Sequence, residues 1–243
     1  MFSSKTVKHL HLHLQGTAGK VLVLALAAVA AVALLAGCTS GSGTTVVING
    51  GSDKQLETST AVETLEFDEF TSIEASLDVG DIEFTSGNGY SVVIDRKNYP
   101  EFTADVANGK LTIKGPEGSW NVADTSCTVT ITVPVSARLT STDLETDTGS
   151  IVVDDIASTA LAASTDVGEI TVTACGVDSY DLSSDVGDIK LLGVGDLGDA
   201  SIDASTDLGQ VTVGSKSSGN SFTQSGTGTK IKAETDTGAI TIN

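Results

Sequence analysis

The phrase Asp-x-Gly-x-Ile/Val occurs six times in this chain, each time with another apolar residue two places beyond its last position. The copies are Asp78-Val-Gly-Asp-Ile, Asp147-Thr-Gly-Ser-Ile, Asp166-Val-Gly-Glu-Ile, Asp185-Val-Gly-Asp-Ile, Asp207-Leu-Gly-Gln-Val and Asp236-Thr-Gly-Ala-Ile. The last five begin 19, 19, 22 and 29 residues apart (166−147, 185−166, 207−185, 236−207). Repetition near this period marks stacked coils, in which each unit buries its apolar face only against its neighbours. Such a chain is predicted to build an extended surface rather than a pocket.

Before each of these turns runs a strand, as in Leu161-Ala-Ala-Ser-Thr and Ile202-Asp-Ala-Ser-Thr. After each comes a strand with an apolar pair at i and i+2: Ile82/Phe84, Ile151/Val153, Ile170/Val172, Ile189/Leu191, Val211/Val213 and Ile240/Ile242. A period of two puts both members on one face, so stacking predicts aliphatic ladders through the interior. The glycines (80, 149, 168, 187, 209, 238) are expected at corners of positive φ. The aspartates before them are expected to accept hydrogen bonds from turn amides, as in an Asx turn. Stacked in register, these carboxylates would lie about 5 Å apart and would call for amide donors, staggering, raised pKa values or a cation. Calcium is the cation that suits exported oxygen ligands. The phrase is not the calcium-binding Gly-Gly-x-Gly-x-Asp nonapeptide, and there is no EF-hand loop. Asp78, Asp147, Asp166, Asp185, Asp207 and Asp236 are therefore read first as structural corners and only second as weak cation sites, with no cofactor expected.

The chain ahead of Leu144 alternates less regularly. Asn108-Gly109 between Phe102–Ala107 and Lys110–Gly115 is a strong hairpin signal, because both turn positions favour positive φ. Gly87-Asn88-Gly89 predicts a reversal between Asp81–Phe84 and Ser91–Asp95, and Pro134 should border its strand because it cannot donate to a ladder. Farther along, extra length at Gly193–Asp199 and Gly214–Thr229 reads as excursions where variable contacts would sit.

The start of the chain is an address. Lys5, Lys8 and Lys20 precede the unbroken apolar run Val21–Leu34, which is short for a membrane span and suited to a signal-peptide core. It ends in Leu35-Ala36-Gly37-Cys38, which resembles the lipobox of bacterial lipoproteins. That resemblance implies cleavage before Cys38 and lipidation of its thiol. Several acyl chains would hold the chain to the membrane, at ~0.8 kcal/mol per buried methylene. Residues 1–37 are thus the lipoprotein signal peptide, 38–60 a polar flexible tether and 61–243 the working domain, placed outside the cytoplasm.

Removing the leader leaves 13−3 = 10 basic and 32 acidic residues, a formal charge of −22. Nucleic acid is excluded as a partner, since it demands a basic patch. All three histidines (His9, His11, His13) lie in the leader, so the mature chain has no histidine general base, triad or metal ligand. The basic residues share no spacing with the aspartates that would suit an acidic, calcium-assisted polysaccharide lyase. The chain is read as non-enzymatic. Cys127 and Cys175 stand in strand-like sequence and are read either as a disulfide or as two separate buried thiols.

Ser72-Ile-Glu-Ala-Ser-Leu-Asp-Val-Gly-Asp-Ile-Glu-Phe84, Thr130-Ile-Thr-Val-Pro134 and the repeated Ser/Thr-Asp-x-Gly-x-Ile together resemble the DUF4097 family. These are candidate adhesins related to Toastrack and head-GIN domains, and the resemblance covers residues 62–243. It implies an all-β, single-stranded, right-handed β-solenoid-like stack, here preceded by a hairpin-containing region. It also implies a non-catalytic, adhesin-like binding module at the cell surface, with a protein or glycan partner. The alternative is an accessory or sensing component of an envelope-stress system that contacts a membrane protein. Because the chain stops at Ile240-Thr-Ile-Asn243 directly after a repeat, its last coil is expected to be an open edge, offering self-association through unpaired strand groups.

Overall fold

The structure is a computed structural model and describes residues 60–116, 125–173 and 175–243. The signal peptide, Cys38, nearly all of the tether and Trp120 lie outside the described residues. The first part of the chain forms β1 (Thr60–Phe67), β2 (Ser72–Val79), β3 (Asp81–Gly87), β4 (Tyr90–Lys97), β5 (Thr103–Ala107), β6 (Lys110–Lys114) and β7 (Ser126–Pro134). The repeats then give strand pairs: β8 (Ser141–Thr148) with β9 (Ile151–Asp154), β10 (Ala157–Val167) with β11 (Ile170–Thr173), and β12 (Gly176–Val186) with β13 (Ile189–Leu192). The next pair is β14 (Ser201–Leu208) with β15 (Val211–Val213). Two short strands follow, β16 (Lys216–Ser217) and β17 (Ser221–Gln224), before the last pair, β18 (Lys230–Thr237) with β19 (Ile240–Ile242). No helix occurs among the described residues.

The first strand of every repeat lies in one sheet and the second in the other, with the Asp-x-Gly corner between them. The nine-stranded sheet runs β17-β14-β18-β12-β10-β8-β2-β6-β5 and the ten-stranded sheet β1-β4-β7-β3-β9-β11-β13-β19-β15-β16. Pairing between repeats is parallel throughout, whereas β1, β4, β5, β16 and β17 pair antiparallel at the ends, so both sheets are mixed.

Alternation decides which side chains fill the space between the sheets. Ile82, Ile151, Ile170, Ile189, Ile240 and Val211 stand opposite one another on successive strands, and all are fully buried. Phe84, Val153, Val172, Leu191, Ile242 and Val213 form a second ladder two residues on. The facing sheet supplies Ala75, Leu144, Ala163, Leu182, Ala233 and Ala204, a row of leucines and alanines that also lies in register. Alternate inward positions on two sheets thus make one continuous core, as in layered β architectures.

Two expectations about strand order need correction. The repeats do not stack in chain order: β18 lies between β12 and β14, and β19 between β13 and β15. The C-terminal coil is therefore an interior rung, and the open edge expected there does not exist. Gly87-Asn88-Gly89 reverses the chain as read, and β7 lies between β3 and β4 and pairs with both. Gly214–Thr229 is not simply a loose excursion: β16 and β17 pair antiparallel with β15 and β14 and form the outermost strands at that end of the two sheets. The Asn108-Gly109 hairpin stands as read, with both residues at positive φ (54° and 75°) and Ala107 paired with Lys110. Cys127 and Cys175 are both free and buried. Burial pushes the Cys127 thiol up to about 12 despite the opposing Arg96 charge, and it raises the Cys175 thiol as well.

Candidate binding face

The corners place chemistry on one long edge of the stack. Leu77 pairs with Thr146, and Val79 with Thr148, so Asp78 stands opposite Asp147. The same register sets Asp166 opposite Asp147, Asp185 opposite Asp166, Asp236 opposite Asp185, and Asp207 opposite Asp236. All six aspartates are exposed and follow one another at the strand spacing, about 4.8 Å. The Asp147 carboxyl is raised above its ordinary value, by burial first and then by the charges of Asp166 and Asp78.

The expected Asx turns are absent. Among the described residues no donor reaches any of the six corner carboxylates, and none forms an ion pair. Amide bonds to side chains go instead to the residue after the glycine: Ser150 N–H donates to Asp81 Oδ1 and Ala239 N–H to Asp188 Oδ1, both at 2.8 Å.

What builds the corner is a hydroxyl that the sequence shows at an unexpected place. Thr146, Thr165, Ser184, Thr206 and Thr235 occupy inward positions where alternation calls for apolar residues, and all five are buried. Each donates its hydroxyl to the corner glycine carbonyl of the adjacent coil. Thr146 reaches Gly80 O at 2.9 Å, Thr165 Gly149 O at 3.0 Å, Ser184 Gly168 O at 3.1 Å, Thr235 Gly187 O at 3.0 Å and Thr206 Gly238 O at 2.9 Å. Main-chain bonds continue past the corner, with Gly149 N–H on Val167 O at 3.0 Å and Gly168 N–H on Val186 O at 2.9 Å. These five corner carbonyls thus each have a partner, as a packed interior requires. The first copy has Leu77 at this position, and there Gly80 faces Cys127 instead of another corner glycine.

Positive φ occurs at Gly80, Gly149 and Gly238 but not at the other three corners. The common requirement is close approach. A Cβ on Gly149, Gly168, Gly187, Gly209 or Gly238 would stand only 1.8–2.0 Å from the carbonyl oxygen of the neighbouring corner glycine.

Beside the aspartates runs a row formed by half-buried Val79 and by exposed Thr148, Val167, Val186, Thr237 and Leu208, with Leu208 71 % exposed. The outer face of the nine-stranded sheet is acidic and is relieved by few cations. Glu74, Asp143, Ala162, Asp181, Lys232 and Asp203 share one row, and Glu145 and Glu234 stand in the next. Lys232 lies 3.5 Å from Asp181 and 3.6 Å from Glu234, while Lys110 pairs with Glu74 and holds that carboxyl below its usual range. Two shallow depressions of about 270 and 300 Å³ mark this face, one beside Glu74 and Asp78, the other beside Tyr180 and Lys232. Among the described residues no three acidic or cysteine side chains converge as metal ligands.

This architecture is found in a solved structure. A candidate cell-adhesion protein from Clostridium sporogenes matches with a TM-score of 0.58 at 18 % identity, covering 76 % of this chain and 99 % of its own. A candidate adhesin from Bacteroides fragilis matches over 76 % of this chain and 97 % of its own, with a TM-score of 0.33 at 14 % identity. The first likeness establishes a shared fold. No protein-family model and no curated protein sequence matches the chain.

Proposed function

We propose that this protein is a non-catalytic, adhesin-like binding module of the bacterial cell surface, built as a β-solenoid-like stack and anchored through lipidated Cys38. The observation that carries the reading is the outer face of the nine-stranded sheet, with its edge of in-register aspartates and exposed aliphatic side chains. Such a surface suits recognition of an extended protein or glycan partner rather than a small substrate, which would demand a deep concave site. The fold shared with the Clostridium sporogenes protein supports it, as does a mature sequence without histidine. A strongly acidic face favours a partner with basic groups and makes capture sensitive to salt.

The test is crosslinking on intact cells carrying a tagged copy, followed by mass spectrometry of what is captured. Capture of host matrix or foreign-cell material, lost on charge reversal at Asp143 and Asp181, is the expected result. Capture only of a sensor or transporter from the same envelope would refute adhesion and make the chain an envelope-stress accessory. Anchoring is read separately: Cys38→Ser should move the protein from the membrane fraction to the soluble one.

A further inference from the structure

The position of the last coil has a mechanical consequence. Residues 230–243 come later in the chain than both coils that flank them, yet they fill the slot between those coils. In that slot β18 pairs with β12 on one side and β14 on the other, while β19 pairs with β13 and β15. The chain must step over this gap before the filling segment exists. The connection from β9 to β10 is Asp155–Ile156, whereas the connection from β13 to β14 runs through residues 193–200. The extra length is what allows β14 to settle two strand spacings from β12 instead of one.

The two walls of the slot are complementary to the same segment. Tyr180 and Ile202 both pair with Ile231, and Ser184 and Thr206 both stand opposite Thr235. Thr235 donates to Gly187 O below it, and Gly238 O accepts from Thr206 above it. The segment reaches this position from β17 through residues 225–229. There Gly228 N–H donates to Asp199 O at 2.8 Å, and the next contact is Ser201 N–H on Thr229 O at 2.9 Å. The filling element is thus short, is joined to β17 by the five-residue connection 225–229, and is lined on both sides by strands that lie earlier in the chain. Identical elements that meet those conditions exchange between copies at low cost, because every contact of the exchanged state already exists in the closed one.

We propose that the slot between β12/β13 and β14/β15 accepts residues 230–243 of a second copy as well as its own, joining two copies by reciprocal exchange of the C-terminal coil. The exchange takes place as the chain folds, before its own segment has closed the slot, and copies held on one membrane surface meet at raised effective concentration. The inference does not depend on the adhesin reading, since it concerns only how the stack is completed.

Asp181 and Lys232 are register partners on the outer face, at a strand separation that a disulfide spans. Two differently tagged full-length chains, both Cys38→Ser, would carry Asp181→Cys in one and Lys232→Cys in the other. They would be mixed in detergent, unfolded together, refolded over a range of concentrations and oxidised. The native Cys127 and Cys175 are buried and do not compete. Exchange predicts a covalent heterodimer on non-reducing gels that increases with protein concentration. It should exceed at least severalfold the product of an Asp143→Cys and Lys232→Cys mixture, whose positions are not partners. The double variant Asp181→Cys/Lys232→Cys, refolded dilute, should close its link within one chain. If that internal link forms while the mixed single variants give only background at every concentration, exchange is refuted. Failure of the internal link would refute the register on which the proposal stands.

Discussion

Gly168→Ala isolates the contact that defines the corner. In the native chain an added Cβ would stand 1.8 Å from Gly149 O, against ~3.3 Å for a close carbon–oxygen contact. The two coils must separate by roughly 1.5 Å there, beyond what a hydrogen bond tolerates. Three bonds cross that junction: Gly149 N–H to Val167 O, Ile151 N–H to Glu169 O and the Thr165 hydroxyl to Gly149 O, each 3.0 Å long. At about 1 kcal/mol net apiece, their loss should cost about 3 kcal/mol. For a domain of this size that lowers the melting temperature by roughly 6–12 °C. The control is Gly176→Ala, whose added Cβ meets nothing nearer than Ala157 Cβ at 4.0 Å. It should stay within about 0.5 kcal/mol of the parent, or gain slightly through a stiffer unfolded chain. Urea unfolding of the three proteins, analysed at a common slope, makes the comparison. A loss below ~1 kcal/mol for Gly168→Ala would refute the argument that carbonyl approach, and not turn conformation, selects glycine at these corners.

Thr165→Val keeps the shape and removes the donor to Gly149 O, so it should cost about 1 kcal/mol in the same assay. Asp147→Asn should stabilise the fold at neutral pH by ~0.5 kcal/mol, the scale of a like-charge cross-strand contact at an exposed site. The sign follows from the raised Asp147 carboxyl: its charged form is disfavoured in the folded state. The gain is therefore present above that pKa and fades as pH falls through it and the native carboxyl takes up a proton, which melting curves at pH 7 and pH 4 would separate. Millimolar calcium against a chelated control should leave the melting temperature unchanged, and a rise of several degrees would show that the aspartate edge binds the ion.

The repeat, the apolar pairs and the Asn108-Gly109 hairpin were legible because each rests on local rules of period and turn geometry. The hydroxyl ladder was also visible, as a Ser or Thr before five of the six aspartates. Its meaning was hidden because the acceptor, a glycine carbonyl, belongs to the neighbouring coil. The aspartates drew the corner role that the hydroxyls and glycines perform. Sequence order also misplaced the last coil. Nothing local to Lys230–Asn243 distinguishes a terminal rung from an inserted one, since its alternation is satisfied equally with one neighbour or two. The sole trace was the length of Gly193–Asp199, read as an excursion and not as a step over a missing rung.

Once the corner aspartates are relieved of a structural duty, their identity requires another cause. Main-chain bonds and buried hydroxyls already satisfy the corner, so an uncharged polar residue would serve there at no cost in packing. Like charges at strand spacing are unfavourable, and at Asp147 burial first and then the charges of Asp166 and Asp78 raise the carboxyl. The irregular segments make the complementary point. A parallel stack leaves an unpaired strand at each end, and an exposed edge of that kind recruits other chains. Here β1 and β5 cover the parallel repeats at one end and β16 and β17 at the other, so the portions of sequence that fit the repeat least are the ones that terminate it and carry the outermost strand edges. With antiparallel strands at both ends of each sheet, the surfaces offered to a partner are the broad faces, the acidic edge and the outer edges of those terminal strands. Any pairing of one copy with another through the parallel repeats must go by way of the interior slot.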